Sequence, residues 1–395
     1  MTERILITAE APLSFPTRKP GEQFAQSFGY VPGIALWGAL GTQLQRTPQA
    51  RFGPALPARP GDRWVRQLPA TAAACKVHGK LIADGGHGVF DTLIDQVCQG
   101  ALRPAIGPFD PHCPACLGRI DRPELTYYAA GKDGQLHARR VQQRTLTRVA
   151  IDRRRGTAAE ELLYSPVVIA EVNAYRTGAT TEYAQTCFLG SAWDLADDER
   201  AALEQIGALG GRMSSGLGQV QIVVPETGPL IADDWQLPLA DRLERFNRRL
   251  DERWQLWRRA GLPTATPDWS PDDTRVFTVD LVSDAALFED GWQPTTIFDA
   301  GQLLAETGLE ATLIQSLANA QVVGGWNARW NRHRPTTLAA AAGSVFTFRT
   351  EASLAALSAA LAPLERDGIG LRRGEGFGLI RICDEFHYQA TGEAR

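Results

Sequence analysis

One glycine-rich signature occurs twice in this sequence, and its duplication constrains the fold more than any other feature. The first copy is Gly210-Gly-Arg212-Met-Ser-Ser-Gly216-Leu-Gly218, followed by Gln-Val-Gln-Ile222; the second, 160 positions later, is Gly370-Leu-Arg372-Arg-Gly-Glu-Gly376-Phe-Gly378, followed by Leu-Ile-Arg-Ile382. Both read G-x-R-x-x-x-G-h-G, with h apolar, and run into a strand. The register extends upstream, where the apolar run Ala184–Leu189 aligns with Ser344–Arg349 at the same offset and a helix-like stretch follows each. Each half therefore closes as strand, helix, glycine loop, strand. That pattern predicts two copies of one small α+β unit, with glycines where backbone must approach something closely.

At 395 residues, 44% apolar and 22% charged, the chain is long enough for two or three ordinary cores. No apolar run approaches the ~20 residues of a membrane span, and the first residues lack the apolar stretch of a secretory signal. The expected compartment is the cytoplasm. There, six cysteines in so long a chain make no disulfide scaffold, and the question becomes whether they cluster for metal.

The first half opens on a strand-like run, Arg4–Ala11, and a polar loop, Pro12–Tyr30, that holds Arg18 and Lys19. Val31–Leu40 reads as a helix with Pro32 in its first turn and Leu36, Leu40 and Leu44 on one face. An irregular stretch rich in Pro, Gly, Cys and His follows over about residues 47–134. Two long strands, Leu136–Ile151 and Leu162–Tyr175, then form a hairpin over about 136–175. The charged amphipathic helix Leu239–Ala260, with Phe246, Leu250, Trp254 and Trp257 on one side, reads as a connector packed across both units. The second half begins at the strand Arg275–Val282 and closes at Cys383. The expected division is a first unit over 1–232, a helical connector over 233–273 and a second unit over 274–395. Half one is about twice the length of half two, so the insertion and the hairpin belong to half one.

The insertion holds the strongest chemical constellation. Cys75-Lys-Val-His78 and Cys113-Pro-Ala-Cys116 are two C-x-x-C/H knuckles, with His87 between them. Tetrahedral zinc needs four N or S ligands, and such a turn presents two of them from one loop. Cys75, Cys113 and Cys116 supply three thiolates, and His87 and His78 compete for the fourth place. The bland alternative is a buried cysteine and an ordinary loop. Because the set would be closed, the expected zinc is structural.

Net charge is −4, so overall charge does not announce a nucleic-acid binder, but its distribution is informative. Seven arginines lie between His137 and Arg155: Arg139, Arg140, Arg144, Arg148, Arg153, Arg154 and Arg155. Alternation around Val141, Leu146 and Val149 suggests a ribbon with one packed and one basic face, able to lie along a nucleic-acid backbone or simply to be solvated. Half two has a shorter analogue, Gly324–Pro335, in which Trp326, Arg329 and Trp330 interleave aromatic faces with guanidinium groups. That mixture suits a single strand, where bases stack and phosphates are held.

With these segments in view, the chain resembles the RAMP superfamily of CRISPR-associated proteins, whose members repeat a ferredoxin-like fold with this glycine loop before the last strand. Tyr30-Val-Pro-Gly33-Ile-Ala-Leu-Trp-Gly38-Ala-Leu is similar to the family's I-P-G-x-x-h-x-G-A-h helix start. Arg148-Val-Ala-Ile-Asp152-Arg, Gly156-Thr-Ala and Leu163-Tyr164 resemble its R-x-A-I-D…G-T-A…L-Y hairpin, and Gly343-Ser-Val-Phe346 its G-S-V-F strand. Cys75-Lys, His87-Gly-Val-Phe-Asp91-Thr-Leu and Cys113-Pro-Ala-Cys116 together resemble the Csx-ten subgroup of type III-D effector complexes.

The resemblance implies two ferredoxin-like domains, the first carrying a zinc-knuckle insertion and a long basic β-hairpin. It also implies a non-catalytic subunit similar to the Cas-five group, capping the 5′ handle of the guide RNA and contacting the large signature subunit and the backbone RAMP subunits. The residues expected at RNA are Arg18 and Lys19; Arg148, Arg153 and Arg154 on the hairpin; Arg212, Ser214, Ser215 and Gly216 in the first glycine loop; Arg372, Arg373, Gly374 and Gly376 in the second; and Trp326, Arg329 and Trp330. A glycine loop offers backbone N–H groups to phosphate, or else only packs helix against sheet. The competing class is a guide-processing endoribonuclease of the Cas-six type. For that chemistry His137, beside the arginine ribbon, is the one plausible base, and neither a lysine partner nor a carboxylate cluster accompanies it.

Overall fold

The computed structural model describes residues 2–16, 26–102, 110–131, 134–152, 154–177, 180–225, 236–260, 267, 269–327 and 332–389. They form a mixed α/β structure of seven α-helices and many antiparallel sheets. No helix among them is long and apolar enough to cross a membrane.

The first unit is built on the strand Thr2–Ala9. Glu3, Ile5, Ile7 and Ala9 point into the core while Arg4, Leu6 and Thr8 are half-buried opposite, the two-residue period of a pleated strand. Cys187–Trp193 pairs along one edge and Val220–Val223 along the other, and the short strands Arg51–Phe52 and Leu56–Ala58 pair with the far edge of Cys187–Trp193. In the second unit Arg275–Leu281 lies between Val345–Thr350 and Ile380–Ile382, with Thr312–Leu317 outermost beside Val345–Thr350. Helices follow the first and third strands in both units: Gly33–Leu44 and Asp197–Glu204, then Ala300–Thr307 and Leu354–Asp367. The chain order strand, helix, strand, strand, helix, strand, with the last strand beside the first, is therefore repeated.

The inserted segment begins later than residue 47, because Arg51–Phe52 and Leu56–Ala58 belong to the first sheet. It contains two small sheets of its own, Trp64–Gln67 with Tyr127–Ala130 and Leu136–Arg139, and Ala72–Cys75 with Val89–Asp91 and Ile120–Asp121. Leu136–Arg139 is thus a strand of the insertion, and the hairpin is shorter than expected. Arg139 accordingly leaves the basic ribbon: it is buried and forks onto Asp62 at 2.6 and 2.5 Å. The ribbon itself pairs Gln143–Thr145 with Val167–Ile169 and Arg148–Asp152 with Thr157–Tyr164. Val172–Thr177 turns back separately into Thr180–Gln185.

The connector helix Leu239–Ala260 has the span its periodicity predicts. Leu243, Phe246, Leu250 and Trp254 are buried in the core of the second unit, together with Leu93, Val97 and Cys98 of the insertion helix Leu93–Ala101. Each such side chain contributes roughly 1.5–3 kcal/mol by leaving water. Where the short last strand stops, the Asn247 carboxamide takes over the free edge of Arg275–Leu281, accepting from the Val276 N–H at 3.0 Å and donating to its carbonyl at 2.9 Å. Arg253 and the Trp257 indole N–H both reach Asp95 Oδ1, at 2.8 and 2.7 Å, which ties the insertion helix to the connector.

Candidate RNA interface and metal centre

The two glycine loops share one backbone. Arg212 and Arg372 both sit in the left-handed region, at φ 62° and 63°, and each is followed by a single 3₁₀ turn, Met213–Ser215 or Arg373–Glu375. Gly216 and Gly376 follow at φ 77° and 88°. A Cβ at Gly218 or Gly378 would run into the carbonyl oxygen of Leu209 or Ile369, the close approach that these glycines permit.

What surrounds the loops differs. Around Gly216 there is open space, and Met213, Ser214 and Ser215 are exposed. Gly376 is buried: it packs against the Phe52 carbonyl and Gly33, at the start of the first helix of the other unit. The guanidinium of Arg372 donates to Glu375 at 2.9 and 2.7 Å and lies 4.3 Å over the Phe377 ring, and Arg334 reaches the same carboxylate at 2.6 Å. Burial pushes the Glu375 carboxyl up, but Arg334 and Arg372 outweigh it and hold it below its ordinary value. Arg373 pairs with Glu306 and donates to the Gly370 carbonyl. Of that loop's expected RNA contacts only Gly374 is exposed; Arg372 and Arg373 are half-buried and Gly376 is buried. The second loop is thus a joint between units, whereas the first faces outward.

The ribbon meets the outward loop. Arg148 Nη1 donates to the Ser215 carbonyl at 2.7 Å, and Arg154 is exposed at the ribbon tip. The segment Pro12–Phe15 laces the same surface: the Pro12 carbonyl accepts from Gly218 N, Ser14 from Gly211 N, and Leu13 exchanges backbone bonds with Ile169. Arg18, Lys19, Arg153, Arg329 and Trp330 lie outside the described residues. Trp326 is placed only as backbone, on the short strand Trp326–Asn327 that pairs with Arg332–His333.

In the insertion, Cys75, His87, Cys113 and Cys116 bring one ligand atom each to within 4.8 Å of one another. Cys75 and Cys116 sulfurs are 3.6 Å apart, and Cys113 Sγ is 3.4 Å from His87 Nδ1. A zinc tetrahedron with metal–ligand distances of about 2.0–2.3 Å has edges of roughly 3.3–3.8 Å, so the donor set fits zinc. His87 is the imidazole in this cluster; the His78 ring lies tilted at 44° with its centroid 4.4 Å from that of His87, and the His78 backbone N–H donates to Cys75 Sγ at 3.5 Å. Burial alone pushes the Cys75 thiol up, but the N–H groups of His78 and Val77, with Cys116 and His87, bring it down to about 6. A cation would favour all three thiolates together.

A second buried cluster escaped the sequence reading. His387 is fully buried, with Nε2 2.7 Å from Asp280 Oδ1 and Nδ1 3.2 Å from Asp91 Oδ2. Thr71 donates to Asp91 at 2.5 Å and Thr278 to Asp280 at 2.6 Å. Beside it, buried Glu385 accepts from Arg66 at 2.9 Å and Arg381 at 2.7 Å. These groups join the insertion, the second sheet and the short helix Phe386–Gln389. The signal was too dispersed to see, since two aspartates and one histidine, each about a hundred or more residues apart in sequence, are unremarkable.

Residues 265–384 match the family model described as CRISPR-associated protein (Cas_Cmr3). No protein of curated function matches the sequence. Among solved structures, a chain of the type III-B Cmr-beta complex bound to cognate target RNA is similar at 12% identity and a TM-score of 0.42, covering 87% of this chain and 86% of its own. A chain of that complex with cognate target RNA and AMPPnP, state 1, is similar at 10% identity and a TM-score of 0.42, covering 97% and 100%. A chain of the apo state reaches a TM-score of 0.27 at 10% identity, covering 58% and 99%. The matched stretch 265–384 includes the second glycine loop, so over those residues the chain is similar to a CRISPR-associated family, as the resemblance read from the glycine loops implies.

Proposed function

We propose that the chain is a non-catalytic, RNA-binding subunit of a type III CRISPR effector complex in the cytoplasm, and that it holds the 5′ handle of the guide RNA. On this reading it is a type III-D subunit of the Csx-ten kind, beside the large signature subunit and the backbone RAMP subunits. Its two sheets are ferredoxin-like units over 1–232 and 274–395, joined through 233–273, and Cys75, His87, Cys113 and Cys116 hold a structural zinc.

The observation that carries the RNA reading is the bond from Arg148 to the Ser215 carbonyl. It makes the basic ribbon and the outward glycine loop one surface, on which the exposed Ser214 and Ser215 and the ribbon arginines can meet a phosphate backbone. Arg148, Arg154, Arg212, Ser214, Ser215 and Gly216 form the grip. Arg372 and Arg373, held in ion pairs, serve the joint between units.

The endoribonuclease alternative has one observation in its favour, since His137 Nδ1 lies 3.4 Å from Asp84 Oδ1. A single experiment separates the two. Full-length protein is mixed with labelled 5′-handle RNA, and binding and cleavage are read on the same sample. Salt-sensitive binding without cleavage supports the proposal; cleavage that His137→Ala abolishes would put the enzyme first, and no binding at all would remove both.

A further inference from the structure

At the base of the ribbon lies an open hollow of about 410 Å³, lined by Gln142, Gln143, Arg144, Glu171, Val172 and Tyr183. Its volume is within the roughly 300–1,000 Å³ of small-molecule sites. Tyr183 is 75% exposed and Val172 42% exposed, so an aromatic face and a branched aliphatic side chain stand in water at the rim. Beside them Arg144 Nη2 donates to both oxygens of Glu171, at 2.9 and 2.8 Å, and Gln143 is tied to the Ser27 carbonyl at 3.0 Å. The rim is thus an exposed aromatic surface and the wall a fixed row of polar groups.

The charge balance indicates what fits. Arg144 is neutralised by Glu171, so the hollow does not attract phosphate as a lone arginine would. A flat, uncharged, hydrogen-bonding ring suits it better: it can stack on Tyr183 while its edge meets Gln142 and the remaining lone pairs of Glu171. The hollow also belongs to the candidate RNA surface. Val167–Ile169, the partner strand of Gln143–Thr145, is bonded to Leu13, whose neighbours Pro12 and Ser14 accept from the first glycine loop. Arg148, four residues beyond Arg144 at the start of the next ribbon strand, donates into that loop. Four residues of extended chain span at most about 13 Å, a distance that a single strand of RNA covers in a few nucleotides.

We propose that this hollow receives one unpaired nucleobase of bound single-stranded RNA, and that it favours a base carrying an exocyclic amino group over uracil. An amino group gives the Glu171 carboxylate a donor, whereas uracil presents two carbonyl oxygens around its single ring N–H, and the carboxylate repels them. The proposal rests on the reading of the chain as an RNA-binding subunit, and its test keeps the two apart.

Full-length protein is titrated into a short labelled oligouridylate carrying one internal guanosine, and into the all-uridine control, across a salt series. In parallel, saturation-transfer NMR is recorded with guanosine and with uridine alone. Tyr183→Ala is expected to weaken the guanosine oligomer about tenfold, as loss of one base–aromatic stack does, with the salt slope unchanged. Tyr183→Phe should retain the affinity, and Glu171→Gln should erase the preference for guanosine over uridine. Saturation transfer to guanosine should depend on Tyr183. If RNA binds through Arg148 but Tyr183→Ala changes neither affinity nor transfer, the hollow is not a base site and the RNA reading survives. If guanosine binds through Tyr183 while no RNA binds, the RNA reading fails and the hollow stands as a nucleoside site. Absence of both signals overturns both.

Discussion

His387 and Asp280 share a buried hydrogen bond of 2.7 Å that pins the short helix Phe386–Gln389 to the second sheet, and Asp91 of the insertion closes the other side of the imidazole. Burial lowers the affinity of this ring for a proton, but Asp280 and Asp91 outweigh it and raise the pKa well above 6.5. Burial also pushes the Asp91 carboxyl up, and His387 offsets part of that. Because the folded-state value of His387 lies above the unfolded one, its contribution is fully present below pH 6.5 and declines as pH rises towards the folded value. Stability of the wild type is therefore expected to fall across the alkaline side of neutrality by up to about 1.4 kcal/mol per pH unit from this site. Urea midpoints measured against pH check it: His387→Gln should flatten that slope. His387→Ala, which leaves two buried carboxylates facing each other, should cost about 3–5 kcal/mol at neutral pH.

The two glycine loops give a matched pair of substitutions. Alanine is strained at both Gly216 and Gly376 because both are left-handed, a cost of roughly 1–2 kcal/mol. At Gly376 the added methyl also meets the Phe52 carbonyl, whereas at Gly216 it meets open space. Gly376→Ala should therefore destabilise the protein by clearly more than Gly216→Ala in thermal unfolding. Equal losses would mean that the second loop is not the joint that the packing describes.

Arginines of the two loops should separate in function. Arg148→Ala and Arg212→Ala are each expected to lower the slope of log affinity against log salt for 5′-handle RNA by about one unit, leaving sequence preference unchanged. Arg372→Ala removes the pairing with Glu375 and the contact with Phe377, so its expected cost is about 1 kcal/mol of stability with the salt slope intact. A reduced slope in Arg372→Ala and none in Arg148→Ala would exchange the roles of the two loops.

For the metal centre, elemental analysis of purified protein should find zinc near unit stoichiometry, and Cys113→Ala should lose it. Ligand thiolates compete with protons, so zinc retention should also fall in acid. Limited proteolysis of Cys113→Ala should cut first within the insertion, while the two large sheets resist. Wild-type protein that is free of zinc and equally resistant to protease would exclude the structural role.

The features legible in the sequence are those whose physics is local. Glycines at left-handed positions marked both loops, the 3.6-residue period gave the span of Leu239–Ala260, and C-x-x-C spacing marked the knuckles. Leu136–Arg139 was misread because a strand's pattern says that one face is covered without saying by what, and its partner is Tyr127–Ala130 rather than the ribbon. His78 and His87 were equivalent by spacing; the loop that brings His87 N to the His78 carbonyl decides between them. The Asp91, Asp280 and His387 cluster and the hollow at Tyr183 arise from pairings between distant segments, which residue types alone do not announce.

The insertion helix Leu93–Ala101 finds its apolar partners in the connector and in the sheet beyond it. During synthesis that helix leaves the ribosome well before the residues that will cover it, so Leu93, Ile94 and Val97 wait in water until the connector and the second sheet have been translated. The first half is therefore not a self-sufficient folding unit, although its own sheet is complete as soon as Val220–Val223 emerges. Expressed alone, it would carry an unmet apolar face and be prone to aggregate. In the cell, that interval is when chaperones and proteases have access, and it ends only once the connector and the second sheet have closed over the insertion.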